Sequence, residues 1–234
     1  MNSRRKFVKN SSLATAAFLA VNPFDVFAGI IPTSGNLFAN GKCLTLLHSA
    51  EPNMMIKEEF MTYVSRAKKI ASPIILNASQ NTVANTTIHL HTEELSKQYS
   101  VLTQNGILTG FIHIAETNND AIERINQLAY YLKHEKKCNL VVCISHLGFK
   151  NKTGIDDLTL AESSENIDII LQGNTANCSA NTFIARNSIK EEVIIQSSLS
   201  STLPCGKLEI AFDETGTKKH VHVATKFYKD AIAS

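Results

Sequence analysis

Short apolar runs alternate with amphipathic segments along most of the chain from residue 42 onward. Runs with the length and composition of buried strands occur at 42–48, 73–78, 139–144 and 167–171. Apolar residues recur at helical spacing over 56–70 and again from Ala121 to Leu132, and a short helix is predicted from Asp156 or Asp157 to Glu162. Strands interleaved with helices in this order predict two sheets packed between helices.

Turn chemistry sharpens this outline. Asn105-Gly106 separates the strand-like segments 99–104 and 107–114 and favours a type I′ hairpin turn. Asn118 or Asn119 is positioned to cap the helix that follows. The segment 82–96 is polar and is predicted to be a loop. Beyond it, antiparallel strands are predicted at 182–186, 192–196, 207–212 and 220–227, the last two joined by a turn at 213–216.

The first 28 residues have the features of an export signal. Residues 3–9 read Ser-Arg-Arg-Lys-Phe-Val-Lys, an apolar stretch follows at 13–21, and Val26-Phe27-Ala28 suits signal peptidase. We therefore predict a twin-arginine signal peptide at 1–28, a linker at 29–41 and one domain at 42–230. The protein is expected in the periplasm or outside the cell, with no transmembrane span in the mature chain.

Composition narrows the classes of partner. The 234 residues are 44% hydrophobic, enough for one domain with a sizeable core. The formal charge of +2 resides in the signal, because cleavage after Ala28 removes four basic residues and one acidic residue. No nucleic-acid partner is expected. The cysteine count of five leaves at least one thiol unpaired, and a Cys178–Cys205 bridge is one open option.

Three strand-to-loop segments carry the chemistry. The first is Leu-Leu-His48-Ser-Ala-Glu51-Pro-Asn53, the second ends in Ser145-His146-Leu-Gly148, and the third runs into Gly173-Asn-Thr-Ala176. Together they resemble the calcineurin-like metallophosphoesterases, in particular the 5'-nucleotidase branch. That family carries an Asp-x-His, a Ser-His and a Gly-His-x-His at these places. The resemblance covers most of the mature chain and implies an α/β fold, the four-layer α-β-β-α metallophosphatase sandwich.

The motifs depart from the family pattern at four of five positions. Glu51 and Asn53 stand at the first motif, Asn174 and Ala176 replace both histidines of the last, and His146 alone matches. The family segment with the Gly-Asp and Gly-Asn-His-Asp/Glu motifs is missing after Asn53, so part of the N-terminal half of the sandwich is expected to be absent. His48 belongs to the usual strand-to-loop sequence and is expected to make a structural hydrogen bond.

The resemblance implies two divalent metals that clamp a phosphate and activate a water. Glu51, Asn53, His146, Asn174 and Ala176 are therefore vestigial site positions, and Ala176 has no donor atom at all. Metal sites usually need at least three protein ligands. We expect no cofactor, no catalytic residue and no intact metal site. The chain is then a non-catalytic binding or scaffold module, partnered by a separately encoded nucleotidase domain or by another copy of itself.

An alternative keeps the activity. A metal-dependent phosphoesterase with a remodelled, mononuclear site would use His48, Glu51 and His146, and would need a divalent ion of the Mn, Zn, Fe or Mg type. Two His-x-His pairs, His89/His91 and His220/His222, would each share a strand face, as zinc-binding pairs do. Neither pair has an evident third ligand nearby in sequence.

Overall fold

The computed structural model describes residues 42–49, 73–77, 82–83, 86–87, 98–115, 119–150, 154–173, 182–197 and 205–226. All of these residues belong to one compact unit, Asn40–Ser234. Its strands in chain order are β1 (Lys42–Ser49), β2 (Ile74–Asn77), β3 (Thr82–Val83), β4 (Thr86–Thr87), β5 (Tyr99–Gln104), β6 (Ile107–Ile114), β7 (Leu140–Ser145), β8 (Ile169–Gln172), β9 (Thr182–Arg186), β10 (Glu192–Gln196), β11 (Cys205–Phe212) and β12 (Lys218–Lys226).

Two helices follow β6 and β7. Helix α1 spans Asn119–Tyr130 and continues into a π-helical turn at Tyr131–Glu135, and α2 spans Asp157–Ser163. Helix α2 begins where the sequence predicts, because the Asp156 side chain caps it by accepting from the backbone N–H of Thr159 at 2.7 Å. The predicted caps Asn118 and Asn119 lie outside the side chains that the structure describes.

The strands form two six-stranded sheets. The first has the order β12-β11-β1-β2-β3-β4 and the second the order β5-β6-β7-β8-β10-β9. In the second sheet β6, β7, β8 and β10 run parallel, as Ile194 beside Ile169 shows for the last pair. The prediction that the strands after residue 182 are antiparallel is confirmed where β10 pairs with β9 and is wrong where β10 pairs with β8. Its residues 193–196 are buried, as is typical of an interior parallel strand.

The hairpin turn predicted at Asn105-Gly106 is confirmed. Asn105 and Gly106 have φ of 52° and 72°, as a type I′ turn requires, and they join β5 to β6. The predicted loop at 82–96 is wrong in part, because the short strands β3 and β4 lie within it; residues 88–96 are outside the described ranges. The turn at 213–216 joins β11 to β12 as predicted, with Asp213 Oδ1 accepting from the N–H groups of Thr215 and Thr217.

Two apolar layers hold the sheets together. Alternate residues of β7 face opposite ways, so Leu140, Val142 and Ile144 meet the first sheet while Val141 and Cys143 meet the helices. The second sheet is thus buried on both faces. One helical layer and both sheets of the implied sandwich fall within the described residues, and the helix predicted at 56–70 falls outside them.

A cluster of ion pairs centred on Asp168, called the hub below, joins the two sheets at the amino-terminal end of β8. Asp168 pairs with Lys133 at 2.7 Å and with Lys218 at 2.9 Å, and it accepts from the backbone N–H of Val141 at 2.8 Å. Burial alone would raise the pKa of this carboxyl, but the two ammonium charges and the hydrogen bonds hold it below its ordinary value. Asp168 therefore links the two sheets through its charge.

Asn139 adds a second tie at the same end. Its Oδ1 accepts from the N–H of Leu108 at 2.9 Å, and its Nδ2 donates to the carbonyl of Gly216 at 3.1 Å. One amide side chain thereby links the start of β7, strand β6 and the final turn. Gly216 has a φ of 85° and its α-carbon lies against that amide, so a side chain at this position would be strained and would overlap Asn139.

Candidate functional site

Strands from both sheets end together at the opposite end of the sandwich. The Asn105 side chain beside the start of β6 donates to the Cys43 carbonyl near the start of β1, at 2.9 Å. The Asn139–Gly216 contact likewise brings the start of β7 beside the turn that follows β11, whose last residues pair with the start of β1. Strands β1, β6 and β7 therefore run the same way, and their carboxyl ends share one edge, where α/β proteins commonly bind ligands.

That shared edge is rich in buried polar side chains. Residues at or just beyond the carboxyl ends of β1, β6, β7, β8 and β10 are polar yet almost fully enclosed: His48, Ser49, His113, Ser145, Gln172, Gln196 and Ser197. Buried polar groups are costly unless they are bonded, so such a concentration marks a built site or its remnant.

His146 lies at this edge, directly after β7. Its backbone N–H donates to the Ile114 carbonyl at 2.9 Å, and its side chain is half-buried. Its ring meets the ring of His113 edge-on, with centroids 5.0 Å apart and planes at 81°. His113, which the sequence reasoning missed, is 6% exposed. The signal that marks it is a histidine next to the last position of a mostly apolar strand.

A buried network lies beside His146. Asp157 accepts hydrogen bonds from the Ser145 hydroxyl and from the Gln172 side-chain amide, and the Ser145 oxygen also accepts from the N–H of Leu147 at 3.2 Å. Burial raises the pKa of Asp157; the two hydrogen bonds and nearby His146 oppose that rise, while Asp156 adds to it. Asp157 is also the first residue of α2, one of the two starts that the sequence predicts, so its side chain joins the ends of β7 and β8 to that helix.

His48 reaches the same edge from the first sheet. Its side chain is fully buried, and no described residue hydrogen-bonds to its ring nitrogens. The expected structural hydrogen bond is therefore not found within the described part of the chain. Gly206 pairs with His48 across β1 and β11, and the imidazole fills the space in which a β-carbon at 206 would lie. Burial lowers the pKa of His48 to about 4, so the ring is neutral near pH 7.

Gly206→Ala should destabilise the fold by about 1–3 kcal/mol, because the new methyl group must displace a buried ring. Urea unfolding of the parent and variant measures this directly. His48→Ala in the same chain removes the overlapping ring. The double variant should therefore lose less free energy of unfolding than the sum of the losses in the two single variants. Strict additivity of the two losses would contradict the packing described for this pair.

The described residues include only part of the predicted site. His48 and His146 share the carboxyl edge, whereas Glu51, Asn53, Asn174 and Ala176 lie outside the described residues, as do His89 and His91. His220 and His222 are exposed on one face of β12, and His222 Nδ1 lies 3.5 Å from Glu209, which also pairs with Lys207 at 2.7 Å.

The described side chains do not fit a dinuclear metal centre. Among them, no three His, Cys, Asp or Glu residues converge in a way that could hold a metal ion. Asp157 uses its carboxylate oxygens within the buried network, and the enclosed ring of His48 packs on Gly206. Among the imidazoles that the structure describes at this edge, His146 is the one that matches the metal-ligand motif of the resemblance.

Comparison with known proteins supports the same fold. No family model matches the sequence. The trifunctional nucleotide phosphoesterase protein YfkN of Bacillus subtilis is 28% identical over 98 residues, which are 42% of this chain and 6% of that protein. The NAD nucleotidase NadN of Haemophilus influenzae matches with a TM-score of 0.62 and 12% identity, over 80% of this chain and 50% of NadN.

A 5'-nucleotidase precursor from Thermus thermophilus matches with a TM-score of 0.53 and 14% identity, over 82% of this chain and 58% of that one. The chain thus spans half or slightly more of the solved nucleotidases and a small fraction of the curated relative. The predicted resemblance to 5'-nucleotidases and the predicted metallophosphatase-like fold class are confirmed. In the described residues no helix is long and apolar enough to cross a membrane.

Proposed function

We propose that this chain is an exported, 5'-nucleotidase-type metallophosphoesterase-like domain that no longer hydrolyses phosphoesters and acts as a binding or scaffold module. Its likeness in sequence to a nucleotide phosphoesterase and in fold to two nucleotidases supports the family frame. The observation that carries the proposal is in the sequence: of the five ligand positions that the resemblance implies, His146 alone keeps the family residue, while Glu51, Asn53, Asn174 and Ala176 replace the others.

The chemistry of that donor set argues against two bound cations. Ala176 has no donor atom, and the amide of Asn174 is a poorer ligand for a transition metal than the imidazole of the family motif. Without a metal pair there is no clamp for the phosphate and no activated water. The ring of His146 also packs edge-on against the ring of His113.

Purified protein should therefore show no phosphoesterase turnover above that of its own His146→Ala variant. The assay offers nucleoside monophosphates, NAD and a phosphodiester, each with Mn²⁺, Zn²⁺, Fe²⁺ or Mg²⁺ in excess. The Thermus thermophilus 5'-nucleotidase serves as the positive control for substrates and metals. Metal-dependent hydrolysis that His146→Ala abolishes, at unchanged melting temperature, would overturn the proposal and favour an active, remodelled site.

The mononuclear alternative needs His48 as a ligand together with Glu51 and His146. The complete burial of His48 against Gly206 counts against it, since a ligand ring must present a nitrogen to the ion. The same assay separates the two readings, because loss of turnover in a His48→Gln variant is expected only from the alternative. Export by the twin-arginine route and a nucleotidase partner remain parts of the proposal.

A further inference from the structure

The apolar surface of the described chain is concentrated at one sheet edge. Among the described residues, four large hydrophobic side chains are exposed: Tyr130, Phe183, Ile184 and Ile189. Three of the four lie on β9 or in the turn after it, and β9 is an end strand of the second sheet. Phe183 is 40% exposed and Ile184 is 58% exposed, on opposite faces of that strand.

Hydrogen-bond directions show which backbone groups of β9 face outward. The N–H of Ile194 donates to the Asp168 carbonyl beside β8, so Val193 and Ile195 direct their groups toward β9. These two residues pair with Ala185 and Phe183. Thr182, Ile184 and Arg186 consequently direct their N–H and C=O groups away from β10, toward an edge that no described strand occupies.

These outward groups are symmetric about Ile184. A second β9 laid antiparallel across the edge would place Ile184 opposite Ile184 and Thr182 opposite Arg186. Each outward N–H and C=O then has a partner, and like charges stay apart because Arg186 meets a threonine. On the other face Phe183 lies opposite Ala185, a large side chain beside a small one. The strand is thus complementary to itself.

The strand has few of the features that protect sheet edges. Thr-Phe-Ile-Ala-Arg contains no proline and no lysine, its one charged residue is Arg186 at its end, and its pairing with β10 shows no bulge. One edge strand of the first sheet, β12, differs in this respect, because it carries Lys218, Lys219, His220 and His222. β9 has a single charged residue, at its end, and its centre at Ile184 is apolar.

We propose that the chain forms a two-fold symmetric dimer through β9, which joins the second sheets of two copies into one continuous antiparallel pairing at this edge. The occupant is a second copy because pairing about Ile184 sets Phe183 against the small Ala185 and Arg186 against the uncharged Thr182, so neither bulk nor charge opposes the contact. This inference does not depend on whether the chain hydrolyses phosphoesters.

Sedimentation equilibrium of the purified protein should show a monomer–dimer equilibrium. Ile184→Lys places two ammonium groups opposite each other and should raise the dissociation constant at least about tenfold. Tyr130→Lys makes the same change at a comparably exposed side chain on α1 and should leave the equilibrium unchanged. A monomer at every soluble concentration would overturn the proposal, as would a dimer that Ile184→Lys does not weaken or that Tyr130→Lys weakens equally.

Disulfide trapping tests the register itself. Directly opposed α-carbons lie about 5.5 Å apart, within reach of a disulfide, so Ile184→Cys should cross-link two copies under mild oxidation. Thr182→Cys copies would lie roughly 14 Å apart, at about 3.4 Å per residue, and should not cross-link above the parent chain with its native cysteines. Equal trapping of both variants, or of neither, would contradict the two-fold pairing. Unchanged melting temperatures confirm that each variant is folded.

Discussion

Replacing Asp168 with alanine should lower the free energy of unfolding by about 2–4 kcal/mol, the larger end of what single substitutions do. The change removes both ion pairs and leaves the Val141 N–H and two ammonium groups without their shared acceptor. Asp168 and its two lysine partners have side-chain exposures of 15–23%, so water replaces the lost contacts poorly. Denaturant unfolding of parent and variant gives the difference.

A matched control exists at an exposed pair. Lys219 lies 3.0 Å from Asp213, and its side chain is 53% exposed. Lys219→Ala should cost no more than about 0.5 kcal/mol, since solvent screens such pairs. A loss at Asp168 no larger than that at Lys219 would show that the hub does not join the sheets as described.

The ion pairs of Asp168 also make the free energy of unfolding depend on pH. The folded pKa of Asp168 lies below its unfolded value, so its contribution is present above the unfolded pKa and is lost as pH falls through the folded pKa. The stability difference between parent and Asp168→Ala should therefore shrink as the solution is made acidic. A difference that stays constant on acidification would mean that charge is not what the variant removes.

Asp157→Ala should also cost about 2–4 kcal/mol, because it leaves the buried Ser145 hydroxyl and Gln172 amide without their acceptor and opens a cavity. Asp157→Asn, which keeps the shape and one acceptor oxygen, should cost less. Asp156 offers the control. Its side chain caps α2, and Asp156→Ala should cost about 1 kcal/mol through loss of that cap.

The pH behaviour of Asp157 has the opposite sign to that of Asp168. Burial raises its folded pKa above the unfolded value, so its contribution is complete below the unfolded pKa and is lost as pH rises through the folded pKa. Asparagine does not ionise, so the stability of Asp157→Asn relative to the parent should increase as pH rises from about 4 to 8. Urea titrations across this range measure the trend, and a variant that falls further behind at high pH would contradict the raised pKa.

Local signals in the sequence were enough for much of the fold. The Asn105-Gly106 turn and the Asp156 cap depend on residues adjacent in the chain, so short-range chemistry identifies them. The parallel pairing of β10 depends on which distant strand it meets, and nothing within 192–196 specifies that. The roles of Asp157 and Asp168 could not be predicted from the sequence either, because their partners lie up to 50 residues away in the chain.

In the candidate site, too, the sequence marks only the residues that belong to a local motif. His146 is recognisable because a motif surrounds it, and the substitutions at 174 and 176 can be read directly from the sequence. His113 and Gly206 gain their meaning only from cross-strand neighbours, His146 and His48. Which imidazoles converge, and which one is enclosed, follows from the pairing of strands and not from spacing along the chain.

Metal stoichiometry tests the central claim most directly. The protein would be purified without chelators, equilibrated with excess Mn²⁺ or Zn²⁺, desalted and measured by elemental analysis beside the Thermus thermophilus 5'-nucleotidase. We predict well under one bound ion per chain, with no difference between the parent and His146→Ala. Two ions per chain that fall in number when His146 is replaced would contradict the account.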